Sequence, residues 1–300
     1  MDNSSRRDFL KASGTIAGAA VLSNLLPGCA VAADKVMVSA HLWEYARKFP
    51  PNWDCTPILD TIFADYKYAG IAGIEMMEIH LRQKNAAANI GAISKKHGVA
   101  VTGISYYGEM FDKSQHTEIL EDVELVTGVM KQLGATEFGI TTGFVNRKKT
   151  EDELDTEALL IKDIIMICEK NTVVANIHSH INELQFDMFE WKGLISRIPD
   201  IKLGPDLNWV VRAGIDPVAF VKKYGKQMVY MHLRDQTADG VWTEAVGEGV
   251  IDFPAIAKAL KEVDFKGSAA IELTFDKPAT RPIKEDLKIS REYVHKVFGW

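Results

Sequence analysis

Residues 172–183, TVVANIHSHINE, run from β-branched apolar positions into two histidines and a glutamate. His178 and His180 stand at i and i+2, so in a strand both imidazoles lie on one face. Glu183 follows within one loop's reach. Polar groups that converge at the end of an apolar strand are costly to bury dry and unpaired, so the pattern calls for a metal or for acid/base chemistry. Comparable endings recur downstream, with Asp206 after IKLGP, His232 in QMVYMHL and Glu272 in SAAIEL.

Positioning these residues takes a scaffold that brings distant strand ends together. Eight β-rich runs alternate with amphipathic segments, at 36–42, 73–80, 99–107, 136–142, 172–178, 201–206, 227–233 and 268–273. The helices between them have marked ends. Thr56-Pro57 opens one that closes at Gly70, 85–97 closes at Gly98, and 117–133 closes at Gly134. Thr150 with Glu153 reads as a capping box, Asp216-Pro217 opens a helix ending at Gly225, and Asp252 with Pro254 and then Pro282 begin the last two. Unbroken alternation over some 260 residues predicts a single (β/α)8 TIM barrel spanning 34–300. A doubly wound sheet would more often carry a Gly-rich first turn; Gly247-Glu248-Gly249 comes late, lacks a third glycine and reads as a loop turn.

Barrel chemistry sits at the C-terminal ends of the strands. Five of the eight histidines fall there by this reading: His41, His80, His178, His180 and His232. Strands five to eight end in His178, Asp206, His232 and Glu272, a nitrogen and oxygen donor set suited to a divalent transition metal, with Mn2+ first and Fe2+, Co2+ or Zn2+ as alternatives. A cation that chelates adjacent carbonyl and hydroxyl oxygens eases removal of a proton from the neighbouring carbon. His180 and Glu183 are then the free acid/base candidates. Arg234 is a candidate to hold a substrate oxygen, with an ion pair to Asp235 as the local alternative. Trp43, Trp209, Tyr106 and Tyr107 could form an aromatic wall for a sugar, and His41 and Glu78 complete the candidate substrate contacts.

The N-terminus reads as an address. Ser-Arg-Arg-Asp-Phe-Leu-Lys at 5–11 precedes a moderately apolar run and the small residues 30–33, the pattern of a twin-arginine signal peptide over 1–33. The run is too short to span a bilayer. Periplasmic export through the twin-arginine machinery follows, with lipidation at Cys29 as an alternative processing route. Beyond the leader only Cys55 and Cys168 remain, too few for a disulfide framework. The whole chain carries −6, and three basic against two acidic residues in the leader leave −7 for the rest. That acidity, with no basic patch, argues against nucleic acid as a partner. A homo-oligomer stays open.

IHSHINE at 177–183, LGPDLNWVVRAGIDPVAFVKKYG at 203–225, VYMHLRD at 229–235, VGEGVIDFPAIAKAL at 246–260 and AAIEL at 269–273 resemble the sugar isomerase/epimerase branch of the xylose isomerase-like TIM barrels. The resemblance implies a metal on His178, Asp206, His232 and Glu272, with Glu272 both ligand and base. Two departures stand out. His178 replaces a glutamate that many members carry, which breaks the Glu pair epimerases use on the two sugar faces, and Trp209 stands where epimerases often place a substrate-binding histidine. The His-x-His-x-x-Glu form is similar to inosose dehydratase-like proteins. The expected function is thus a metal-dependent sugar isomerase or epimerase acting on an unphosphorylated sugar or keto-sugar. A lyase or dehydratase on the same site, and a non-catalytic periplasmic carbohydrate-binding protein, are the alternatives.

Overall fold

The punctuation read from the sequence sets the helices of the chain. In a computed structural model, which describes residues 36–300, Gly70, Gly98 and Gly134 end their helices at positive φ of 73°, 69° and 73°, a conformation glycine adopts without steric cost. Thr150 forms the expected box with Glu153: its hydroxyl accepts the Glu153 N–H at 3.1 Å and its own N–H reaches the Glu153 carboxylate at 2.7 Å. Asp216 and Asp252 likewise accept backbone N–H groups at 2.8 and 2.9 Å to start the helices Pro217–Tyr224 and Phe253–Glu262. The leader over 1–33, with Cys29, lies outside the described residues. No helix among the described residues is long and apolar enough to cross a membrane.

Eight parallel strands alternate with these helices: β1 Val38–His41, β2 Gly73–Met77, β3 Ala100–Tyr107, β4 Glu137–Thr141, β5 Val174–Ser179, β6 Leu203–Pro205, β7 His232–Leu233 and β8 Ala269–Ile271. Their order is β6-β5-β4-β3-β2-β1-β8-β7. Parallel bridges from Leu203 to Met228 and from Asp206 to His232 join the two ends, so the ring closes as a TIM barrel. Strand residues that point outward, including Ile74, Ile104, Phe138 and Ile177, share one apolar cluster with helix residues such as Ile62, Phe63, Val123 and Ile164.

The observed strands are shorter than the apolar runs. β2 stops at Met77, and the helix Glu78–Leu81 takes up the rest. His80 is therefore not at a strand end. It is buried outside the mouth, with Nε2 3.1 Å from Cys55 Sγ and Nδ1 3.0 Å from the Met77 carbonyl. β7 keeps two residues, yet its bridge to Asp206 brings two candidate ligands side by side.

Candidate metal centre

His178, Asp206, His232 and Glu272 arrive from four consecutive strands. His178 lies in β5, register-paired with Gly204. Asp206 and Glu272 sit one residue past β6 and β8, where the pleated ladder gives way to loops that turn side chains into the mouth. All four are buried, and one ligand atom from each falls within 4.8 Å of the others.

The surroundings fix which atoms face inward. His178 Nδ1–H donates to the Gly204 carbonyl at 3.0 Å, leaving Nε2 as a lone-pair donor. His232 Nε2–H donates to Glu75 at 2.6 Å, leaving Nδ1 toward the site. Second partners of this kind orient metal-binding imidazoles. Asp206 spends Oδ1 on the N–H groups of Asn208 and Trp209, at 2.8 and 3.4 Å, so it caps the helix Leu207–Arg212 and aims Oδ2 at the mouth.

The electrostatics of the site fits a cation binder. His232 Nδ1 lies 2.6 Å from Glu272 Oε2, an ion pair that lacks the alignment of a hydrogen bond. Two acceptors that close need positive charge between them. Burial alone would lower His232, but the Glu75 and Glu272 carboxylates raise it to about 10. Against its own burial, Glu272 is held well below the usual carboxylate range by Arg234 and His232. Burial and the neighbouring imidazoles push His178 well below its ordinary value, so that ring is neutral and ready to coordinate. Two nitrogens and two carboxylates suit Mn, Fe, Co or Zn, which is the fit the residues offer.

Other predicted residues divide between the mouth and elsewhere. His180 is at the mouth: its ring is 4.8 Å from His178 and 6.0 Å from Trp209, and its buried Nδ1 has no partner. Burial lowers it to about 4, so it is a neutral base at physiological pH. His41 is present too, 5.5 Å ring to ring from His232, with Nδ1 accepting the Trp43 N–H and Nε2 bonded to Ser105. Trp43 begins the turn after β1 and faces Trp53 at 6.0 Å. Arg234 is not paired with Asp235. Its Nη2 bridges Asp206 at 2.8 Å and Glu272 at 2.6 Å, while Asp235 collects the N–H groups of Gln236, Gly247, Gly249 and Ile251.

Three candidates fall away from the ligand set. Glu183 accepts the His180 N–H at 2.8 Å and the Thr142 hydroxyl at 3.1 Å, so one oxygen caps the turn after β5 and the other ties it to the residue past β4. Beyond it lies a buried cluster in which Lys149 pairs with Glu190 at 2.9 Å and Glu157 at 3.2 Å. Tyr106 stacks on Phe138 at 5.1 Å and donates to Asp122 at 2.8 Å, packed behind the strand. Glu78 pairs with Arg82 at 3.6 Å and is pushed up to about 7 by burial.

Sequence reasoning missed Glu75 and Trp242. Glu75 is buried on β2 and receives His232 and the Tyr230 hydroxyl; the signal was a lone carboxylate inside GIEMM. Trp242 sits edge-on to Trp209 at 5.5 Å, with the Arg234 guanidinium 5.1 Å from its ring.

A family model described as xylose isomerase-like TIM barrel matches residues 63–293. An inosose dehydratase of Clostridium beijerinckii is 27% identical over a segment covering 32% of this chain and 37% of that protein, so the chain spans little more than a third of this curated relative. Solved structures share the fold at low identity. A sugar phosphate isomerase/epimerase from Parabacteroides distasonis has TM-score 0.69 at 16% identity, over 89% of this chain and 95% of that one. The D-allulose 3-epimerase of a Methylomonas species, in complex with D-allulose, has TM-score 0.72 at 13% identity over 88% and 98%. A probable 3-DHS dehydratase of Bacillus anthracis has TM-score 0.67 at 15% identity over 86% and 98%.

Proposed function

The chain belongs to the xylose isomerase-like TIM barrel family, and from that premise we propose a divalent-metal-dependent enzyme that removes a proton beside a carbonyl of an unphosphorylated sugar or keto-sugar. The observation that carries this reading is the convergence of His178, Asp206, His232 and Glu272 within 4.8 Å at the barrel mouth. Mn2+ is the proposed ion. A cation there would draw charge from adjacent carbonyl and hydroxyl oxygens and acidify the neighbouring C–H. Glu272, kept anionic by Arg234 and His232, is the proposed base. His180, with its unpartnered Nδ1, is the second group that can take or return a proton.

Trp209, Trp242 and Trp43 offer apolar faces of the kind that stack on sugar C–H surfaces. Arg212 is engaged with Gln236 and the Gly240 carbonyl, so of the two arginines near them only Arg234 could turn to a substrate, and one guanidinium is no phosphate cradle. That arrangement favours a substrate without phosphate. His178 in the place of a glutamate supports a second reading, in which a β-substituent leaves after proton removal, the lyase or dehydratase outcome. The likeness to an inosose dehydratase points the same way.

Purified protein loaded with Mn2+ is incubated in D2O with a panel of keto-sugars and inososes. Solvent deuterium beside the carbonyl is expected, with or without loss of water. Binding without exchange would leave the non-catalytic carbohydrate-binding reading, and a protein with no affinity for any divalent ion would refute the enzyme readings. Export is proposed from the Ser-Arg-Arg-Asp-Phe-Leu-Lys motif at 5–11 with the apolar run and small residues that follow it. Replacing Arg6 and Arg7 with lysine is expected to keep the protein out of the periplasmic fraction, and unchanged fractionation would exclude the route.

A further inference from the structure

We propose that Arg234 is a built-in stand-in for the metal: it holds the ligand carboxylates together in the metal-free chain and competes with the divalent ion for them. The inference rests on the metal reading above. A single nitrogen, Nη2, lies 2.8 Å from Asp206 Oδ2 and 2.6 Å from Glu272 Oε2, bridging the two carboxylates of the ligand set. The Arg234 side chain is 5% exposed and that of Asp206 0%, so water does little to weaken either attraction.

Two carboxylates this close repel each other unless a cation stands between them. The guanidinium balances part of their charge, and the His232 ring lies 2.6 Å from the same Glu272 oxygen. A divalent ion on the same oxygens would balance all of it, and would also set two positive charges beside the guanidinium. The two cations therefore oppose each other at one place.

Arg234 has somewhere to stay when it yields. The rings of Trp242 and Trp209 lie 5.1 and 5.8 Å from its guanidinium carbon, within reach of cation–π attraction. Nη1 is bonded to Thr274 at 3.2 Å and Nε has no partner. Metal entry thus releases Nη2 at the mouth, where a substrate oxygen can accept it. The same residue would weaken metal binding and couple substrate binding to it.

The test titrates metal-free wild type, Arg234→Met and Arg234→Lys with Mn2+ by calorimetry and melts each with and without the ion. Arg234→Met is expected to bind Mn2+ at least tenfold more tightly, to melt lower when metal-free, and to gain more on loading. Arg234→Lys keeps a competing charge and should bind Mn2+ less tightly than the methionine variant. If metal-free Arg234→Met does not stay folded, loaded protein is competed against EDTA, which reads the same affinity. Equal or weaker Mn2+ binding by Arg234→Met overturns the inference while leaving the metal reading intact. A wild type that binds no divalent ion overturns both.

Discussion

Asp206→Asn separates the proposed metal binding from folding, because Asp206 would serve both and asparagine can replace it in only one. As a helix cap, Asn Oδ1 can accept the same N–H groups of Asn208 and Trp209, so capping changes by a few tenths of a kcal/mol. The ion pair with Arg234 is lost. At 2.8 Å and an effective dielectric of about 20 its gross attraction is about 6 kcal/mol. Most of that is offset by the cost of burying the carboxylate, and Arg234 keeps Glu272, so the net loss is about 1–2 kcal/mol. For a domain of this size that lowers the melting temperature by about 2–8 °C. Metal binding loses one of two anionic ligands, and the dissociation constant for Mn2+ is expected to rise about a hundredfold or more. Calorimetry and thermal melts with and without Mn2+ read both effects. A variant that binds Mn2+ as tightly as wild type would remove Asp206 from the ligand set.

Three further substitutions probe other buried groups of the barrel. Glu75→Gln removes the carboxylate that orients His232 and should weaken Mn2+ binding about 10–100-fold, measured by calorimetry; an unchanged affinity would make the Glu75–His232 contact purely structural. His180→Asn is expected to slow deuterium exchange into the keto-sugar about 10²–10⁴-fold at unchanged Mn2+ stoichiometry, and full exchange would remove His180 from proton transfer. Glu137 on β4 is raised from 4.5 to about 7 by burial. Its native-state value exceeds the unfolded one, so the anion costs stability above pH 7, and the cost fades as pH falls below about 7. Glu137→Gln should therefore stabilise by about 2–3 kcal/mol at pH 8.5 and by little at pH 5, read from denaturant melts at the two pH values; equal gains at both would refute that assignment.

The barrel and the four-residue site were readable in the sequence because each leaves a local mark. Glycine at positive φ ends Gly70, Gly98 and Gly134 helices, and the side chain of Thr150 can be matched to Glu153 by spacing alone. The four converging residues sit at the last position of an apolar run or just beyond it. The misses come from strand parity and strand length. On β3, Ser105 reaches His41 inside the ring, so its neighbour Tyr106 must point outward, toward Asp122. β2 ends three residues before His80, a length that apolar character does not reveal. Glu75 escaped because its partner, His232, lies 157 residues away and meets it only across the closed ring. Glu183 was close to the site in sequence, yet it turns back to the His180 N–H and to Thr142.

The four amides gathered by Asp235 limit where this scaffold can change. A Cβ on Gly249 would stand 2.3 Å from the Asp235 carboxylate, and one on Gly247 would run into the Tyr293 ring. The loop after β7 is therefore knotted to the residue three beyond His232, and insertions or side chains there would disturb His232 itself. After β4 the freedom begins past Gly143, whose own Cβ would meet the Glu109 backbone at 2.7 Å: Phe144 is 47% exposed, packs tilted against Tyr107 and touches His180 edge-on. New substrate preferences on this framework are accordingly easier to build from the β4 side of the mouth, with the β7 side left as it is.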